Sequence, residues 1–117
     1  MAVKFTPQQQ RVIDLRGCNI LVSAAAGSGK TAVLVERIVN KVCDKTHPVD
    51  IDRLLIVTFT NAAAAKLRAD ITTRLAEEVR AHPGDMRLRR QQLLIYRAQI
   101  STIHAFCTAL LREHGAL

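Results

Sequence analysis

The residues best suited to chemistry in this sequence form a run of small side chains that ends in lysine and threonine. Glycine and alanine leave room for several backbone N–H groups of one turn to converge on an anion. The lysine ammonium would reach the β- and γ-phosphates of a nucleotide, and the threonine hydroxyl suits the accompanying Mg²⁺. The run therefore predicts a phosphate-binding loop, made of Ala24, Ala25, Ala26, Gly27, Ser28, Gly29, Lys30 and Thr31.

The segments on either side of this loop predict the elements that would hold it. Residues 19–23 form an apolar run, with a strand expected at about Ile20–Val22, and an amphipathic helix is expected from Lys30 to about Cys43. The open end of that helix adds a partial positive charge. A turn of small residues that only caps a helix would share part of the pattern, and Ala24 replaces the first consensus glycine. The flanking strand and helix favour phosphate binding.

The rest of the chain alternates helical and extended patterns. Leu54–Val57 is a second strand, and its unbroken apolar character suits a parallel sheet that is covered on both faces. A short strand is expected at Ile100–Ile103. Helices are expected at positions 7–16, 61–82 and 86–97 and from about Ala105 onwards. Thr6 would cap the first of them and Asn61 the second. The apolar face of the second helix would consist of Ala63, Leu67, Ile71, Leu75 and Val79.

This alternation predicts an α/β fold with a parallel sheet and right-handed crossovers. Ligands of such sheets bind beyond the carboxyl ends of the strands. The phosphate loop, the segment Thr58-Phe59-Thr60 and the region around Thr102 and His104 would meet there. Three separate segments thus point to one rim of the sheet.

Composition and charge limit the function classes. A chain of 117 residues with 49% apolar and 23% charged residues is typical of one globular domain. It has no apolar stretch of the ~20 residues that span a bilayer, so no membrane is expected, and its three cysteines suit a reducing, cytoplasmic compartment.

The net charge of +7 favours binding to polyanions, and five arginines lie between positions 80 and 97. Those arginines form either a nucleic-acid surface or a solvated helix face.

Four segments together resemble superfamily 1 DNA helicases of the UvrD/RecB type. Phe5–Gln9 resembles the glutamine motif, residues 19–37 motif I, residues 50–67 motif Ia, and residues 101–106 motif Ib. Their order and spacing are more closely similar to the bacterial ATP-dependent helicase/nucleases of the AddA type, which act in double-strand-break repair and recombination. The resemblance covers nearly the whole chain.

The resemblance implies roles for particular residues, with ATP and Mg²⁺ as cofactors. Gln9 would bind the adenine edge, although a neutral surface glutamine would look the same in sequence. Phe59 would stack under a base of single-stranded DNA, unless it is buried beneath the sheet edge. The other contacts to the DNA strand would come from Thr58, Thr60, Asn61, Thr102 and His104, although Thr102 and His104 would also suit a plain strand end.

The resemblance also implies an architecture: a P-loop NTPase fold of the RecA-like kind, with three αβα layers. Residues 1–117 would be the N-terminal part of helicase domain 1A, ending before the 1B insertion. The family has Glu and Arg at the positions of Lys66 and Asp70, so the charges are exchanged here but an i,i+4 ion pair is kept. The full-length protein would bind single- and double-stranded DNA and a second protein of the AddB type, near the nucleoid.

The chain itself is expected to bind nucleotide without turning it over. Hydrolysis needs a carboxylate at the end of a neighbouring strand, and the second strand ends in Thr58. An incomplete sheet would also expose an edge and apolar surface, which favours self-association. Two alternative functions are a small P-loop nucleoside or metabolite kinase and a non-enzymatic, basic nucleic-acid-binding module.

Overall fold

Five α-helices and two short strands make up the described part of a computed structural model, which comprises residues 4–23, 27 and 29–115. Within these residues, no helix combines the length and the apolar character needed to cross a bilayer. In chain order the elements are α1 (Pro7–Asp14), α2 (Lys30–Val42), β1 (Leu55–Thr58), α3 (Asn61–Ala81), α4 (Met86–Leu94), β2 (Gln99–Thr102) and α5 (Ile103–Glu113), with 3₁₀ turns at Ile51–Arg53 and Ile95–Arg97.

The two strands form a parallel sheet, as the alternation of elements predicts. The register pairs Leu55 with Gln99 at one end of the sheet and Thr58 with Thr102 at the other. On one face Ile56 and the matching residue of β2 are buried in the core, but on the other face Leu55 is 52% exposed. The prediction of a sheet covered on both faces is therefore wrong for the described residues, because no described element packs closely enough to bury the second face.

The strand predicted at Ile20–Val22 is not formed. Residues 19–23 have no regular secondary structure, and Leu21 is 96% exposed. An apolar run becomes a strand only when a neighbour completes its hydrogen-bond ladder, and in the described part of the chain β1 and β2 pair only with each other. The sequence pattern therefore overstated the sheet by one strand.

The core lies between the buried face of the sheet and helices α2 and α3. The buried stripe of α3 runs through Ala64, Leu67, Ile71 and Leu75. It begins at Ala64 rather than at the predicted Ala63, which is exposed. A spacing of three or four residues keeps these side chains on one face of the helix, which explains why periodicity found most of the stripe.

Two predicted helix starts shift because threonine hydroxyls cap the helices. Thr60, rather than Asn61, is the N-cap of α3, since its Oγ1 accepts a hydrogen bond from the Ala63 N–H at 3.0 Å. Thr102 caps α5 in the same way, so that helix begins at Ile103, two residues before the predicted start. Strand β2 accordingly ends at Thr102.

Candidate functional site

The glycines of the predicted phosphate loop have the backbone conformation that such a loop needs. Gly27 has φ 82° and Gly29 has φ 85°, both in the left-handed region. A side chain at either position would be strained there, which explains the glycines. The other predicted loop residues, Ala24, Ala25, Ala26 and Ser28, lie outside the described residues.

No side chain of a described residue caps the N-terminus of α2. Its N-cap residue is Gly29, which has no side chain to accept a hydrogen bond. The first N–H groups of a helix have no partner inside the helix, so they attract anions together with the positive end of the helix dipole. Lys30 and Thr31, the first two residues of α2, are exposed at this end. The other four α-helices have side-chain caps, from Thr6, Thr60, Asp85 and Thr102.

A capping box holds Gln9 beside the loop. Its Oε1 accepts a hydrogen bond from the Thr6 N–H at 2.9 Å, and its own N–H donates to Thr6 Oγ1 at 3.2 Å. The Nε2 atom lies next to Gly29, where a Cβ atom would come within 3.5 Å of it. Gln9 is half-buried. Its amide nitrogen is the part of the side chain nearest the loop.

A cavity of about 220 Å³ joins the glutamine segment to the phosphate loop. Valines form its apolar wall, while amide, hydroxyl and ammonium groups supply its polar part. Two larger cavities, of about 360 and 580 Å³, are both lined by Glu36, Arg74 and Glu78 and include neither Gln9 nor Lys30. The cavity of about 220 Å³ is the one that the predicted nucleotide residues Gln9 and Lys30 line. Its lining residues are Thr6, Gln8, Gln9, Val12, Val22, Ser23, Lys30 and Val33.

Two arginines fix α1 against α2 and thereby position Gln9. Arg37 donates to the carbonyl oxygens of Val12 and Leu15 at 2.6 and 2.7 Å. Arg16 donates to Asn40 Oδ1 at 2.7 Å. Burial, and then the charge of Arg16, lowers the pKa of Arg37 from its ordinary value. These contacts satisfy carbonyl groups at the end of α1, and no motif in the sequence indicates them.

The carboxyl ends of β1 and β2 form the second part of the candidate site. Thr58 and Thr102 are neighbours in the sheet register. The Thr58 hydroxyl donates to the Thr60 carbonyl oxygen at 3.0 Å. Thr60 and Thr102 use their oxygens as helix caps, so each hydroxyl still has a proton to donate to a ligand. The predicted contact residues thus also shape the turns from strand to helix.

Phe59 lies exposed at this rim. Its side chain is 93% exposed, so the alternative of a phenylalanine buried under the sheet edge is wrong. Asn61 and His104 are also exposed, in the first turns of α3 and α5. Exposed aromatic rings are one of the features on which proteins stack unpaired bases.

The structure assembles the predicted residues into two groups. Gln9 and Lys30 line one cavity, and Thr58 and Thr102 adjoin each other at the strand ends. The six rim residues, Thr58, Phe59, Thr60, Asn61, Thr102 and His104, do not line that cavity. The predicted ion pair beyond the rim is confirmed, with Lys66 Nζ 2.7 Å from Asp70 Oδ2.

Comparison with known proteins identifies relatives along nearly the whole chain. Residues 5–117 match the UvrD/REP helicase N-terminal domain. The chain is 55% identical over 112 residues to an ATP-dependent helicase/nuclease subunit of Clostridium novyi, covering 96% of this chain and 9% of that protein. It is 52% identical over 110 residues to the protein of the same name from Bacillus licheniformis, covering 94% and 9%. The chain therefore spans about a tenth of the length of these relatives.

Proposed function

Because the chain belongs to the family of the UvrD/REP helicase N-terminal domain, we propose that it is the part of a DNA helicase that binds ATP and single-stranded DNA. The observation that carries this proposal is the shared cavity of Gln9 and Lys30 at the uncapped N-terminus of α2. In the family architecture this part would belong to a three-layer, RecA-like domain 1A.

The cavity residues suit a nucleotide. The N–H groups of the first turn of α2 and the Lys30 ammonium would hold the phosphates, and Gly27 and Gly29 would let the backbone come close to them. The valine wall would pack against the base, with Gln9 Nε2 near its polar edge. Thr31 would ligate Mg²⁺. When bound, MgATP would supply the phosphoanhydride bond whose hydrolysis drives movement.

The rim residues suit the DNA strand. Phe59 would stack on a base, and the exposed polar groups of Thr60, Asn61 and His104 would contact the backbone. Stacking tolerates every base, which suits a motor that moves along arbitrary sequence. Both strands end in threonine, Thr58 and Thr102, where hydrolysis would need a carboxylate. We therefore expect this chain to bind ATP without hydrolysing it.

The longer protein would be an ATP-dependent helicase/nuclease. This part of the proposal rests on the names of relatives that are 49–55% identical and about ten times longer. Such a protein would act in cytoplasmic repair of double-strand breaks, with the nuclease elsewhere in its chain and a partner of the AddB type. The exposed Phe59 favours this function over a small kinase, which has no use for a base-stacking ring outside its nucleotide site.

A nucleotide titration tests the cavity. We expect Lys30→Ala to weaken MgATP binding by tenfold or more, since it removes the one ammonium group that lines the cavity among the described residues. Lys45→Ala is the control, because Lys45 is an exposed lysine outside this cavity. Isothermal titration calorimetry of both variants measures the effect. Equal affinities for the two variants would contradict the proposed site.

A further inference from the structure

Helix α4 and the 3₁₀ turn after it present a basic outer face that the proposed function does not use. Leu88, Gln91, Leu94 and Ile95 face the core. The helical spacing places Arg89, Arg90 and Arg97 on the opposite side, together with Tyr96, which is 82% exposed. Two apolar side chains, Met86 and Leu93, are exposed among them, at 71% and 72%. Positions 86–97 contain no Asp or Glu. We call this surface the α4 patch, defined by Arg89, Arg90, Tyr96 and Arg97.

Hydrogen bonds of Gln91 and Arg87 hold α4, which carries Arg89 and Arg90 of the patch, against the core. Gln91 is fully buried, and its Oε1 accepts a hydrogen bond from the Ile51 N–H at 2.8 Å. Gln91 Nε2 and Arg87 Nη2 both donate to Asp50 Oδ1 at 2.9 Å. Arg87 also donates to the Val42 carbonyl oxygen. One arginine of the basic segment is therefore part of the fold and does not belong to the patch.

The patch arginines have no such partners in the described structure. Arg89, Arg90 and Arg97 are exposed, and none of them makes a side-chain hydrogen bond or an ion pair with a described residue. The 3₁₀ turn that ends in Arg97 immediately precedes β2, so this end of the patch lies at the amino ends of the strands. Phe59 and the threonines lie at the carboxyl ends. The α4 patch is thus a separate surface from the rim.

We propose that the α4 patch binds the phosphate backbone of double-stranded DNA. Guanidinium groups pair with phosphates through two hydrogen bonds at once. Arg89 lies in α4 and Arg97 ends the following 3₁₀ turn, eight residues later, so the backbone separates them by about 12 Å, on the scale of the grooves of B-DNA. In the proposed complex the arginines contact successive phosphates along one groove.

The same features favour a duplex over other polyanions. Surfaces for single strands stack successive bases on several aromatic rings, whereas the patch has Tyr96 alone. A protein partner would have to place a carboxylate opposite each guanidinium, since burying an unpaired charge is costly. A duplex provides regularly spaced phosphates without that requirement. This proposal does not depend on the nucleotide cavity or on Phe59.

Fluorescence anisotropy with a labelled duplex and a single strand of the same length tests the proposal. The variant R89Q/R90Q/R97Q removes the three patch charges, and R11Q/K45Q/R112Q removes three exposed charges elsewhere. We expect the patch variant to lose about tenfold or more in duplex affinity at low salt. Its slope of log affinity against log salt should fall by about 2 to 3, while the control variant changes little. Thermal melting of both variants verifies that they fold.

The outcomes separate the alternatives. Equal losses in the two variants would mean that net charge alone drives binding, and would overturn the proposal. A larger loss for the single strand than for the duplex, or no loss of DNA affinity at all, as expected of a protein-binding face, would also overturn it. The effect of Phe59→Ala on single-strand binding tests the proposed function separately, so either proposal can fail while the other stands.

Discussion

At the scale of single residues, some arginines of this chain stabilise the fold by binding backbone carbonyl groups, whereas others are exposed at the surface. Arg68 donates to the carbonyl oxygens of Ile95, Ala98 and Ile100, at 2.6, 3.2 and 3.3 Å. Arg37 holds the end of α1 in a similar way. The guanidinium group suits this work because it carries several donors in a fixed fork. The net charge of +7 therefore counts several cations that maintain the fold and are not available to bind DNA.

The role of Phe59 is a prediction at this scale. We expect Phe59→Ala to weaken single-stranded DNA binding by about tenfold, because stacking on one base contributes about 1–3 kcal/mol. The free energy of unfolding should change little, since the ring is 93% exposed. Leu111→Ala, in the C-terminal half of α5 and 70% exposed, is the control, because Leu111 belongs to neither the rim nor the α4 patch. Anisotropy titration showing unchanged affinity for Phe59→Ala would refute a stacking role.

At the scale of elements, an ion-pair cluster joins α2, which follows the predicted phosphate loop, to α3, which begins at the rim. Arg74 of α3 donates from Nε and Nη2 to the two carboxylate oxygens of Glu36 of α2, each at 2.9 Å. Its Nη1 lies 2.7 Å from Glu78 Oε1. The hydrogen bond to Glu36, followed by that to Glu78, raises the pKa of Arg74 despite partial burial. The cluster therefore fixes α2 relative to α3.

Loss of this cluster should destabilise the fold. We expect Arg74→Met to lower the free energy of unfolding by about 1–2 kcal/mol, because it leaves the half-buried carboxylates of Glu36 and Glu78 without their partner. Lys66→Met is the control, since the exposed i,i+4 pair with Asp70 contributes no more than about 0.5 kcal/mol. Urea denaturation measures both changes. Equal losses of unfolding free energy in the two variants would show that the cluster stabilises the fold no more than an exposed ion pair does.

At the scale of the whole molecule, the sheet is covered on one side. Ile56 and Ile100 are buried in the core, whereas Leu55 and Val57 are 52% and 43% exposed on the opposite face. Within the described residues, the two-stranded sheet also leaves both of its outer edges unpaired. Exposed apolar side chains on a short, open sheet favour contact with other apolar surfaces.

Self-association of this chain is therefore expected as its concentration rises. Replacing Leu55 and Val57 with lysine should shift the chain towards monomer, because charges on an open sheet face oppose pairing. Thr73→Lys, at an exposed polar position of α3, is the control and should leave association unchanged. Sedimentation velocity over a range of concentrations measures the effect. A monomeric wild-type chain at high concentration would show the expectation to be wrong.

Sequence patterns succeeded mostly where the physical cause is local. The cap at Thr6, the start of α2 at Lys30 and most of the α3 stripe depend on neighbours within about one helical turn, although the local caps Thr60 and Thr102 were missed. The parallel relation of β1 and β2 also followed, because a helical crossover between adjacent strands joins them in parallel.

Long-range contacts could not be inferred from the sequence in this way. Four features depend on residues distant in sequence or on which surfaces are covered. They are the absence of a strand at residues 19–23, the contact of Gln9 with Gly29, the exposure of Phe59 and the ion pair of Arg87 with Asp50. A ladder, a buried face or an ion pair exists only when a partner is present. Local patterns identify the groups that need a partner, and packing in three dimensions establishes which of them obtain one.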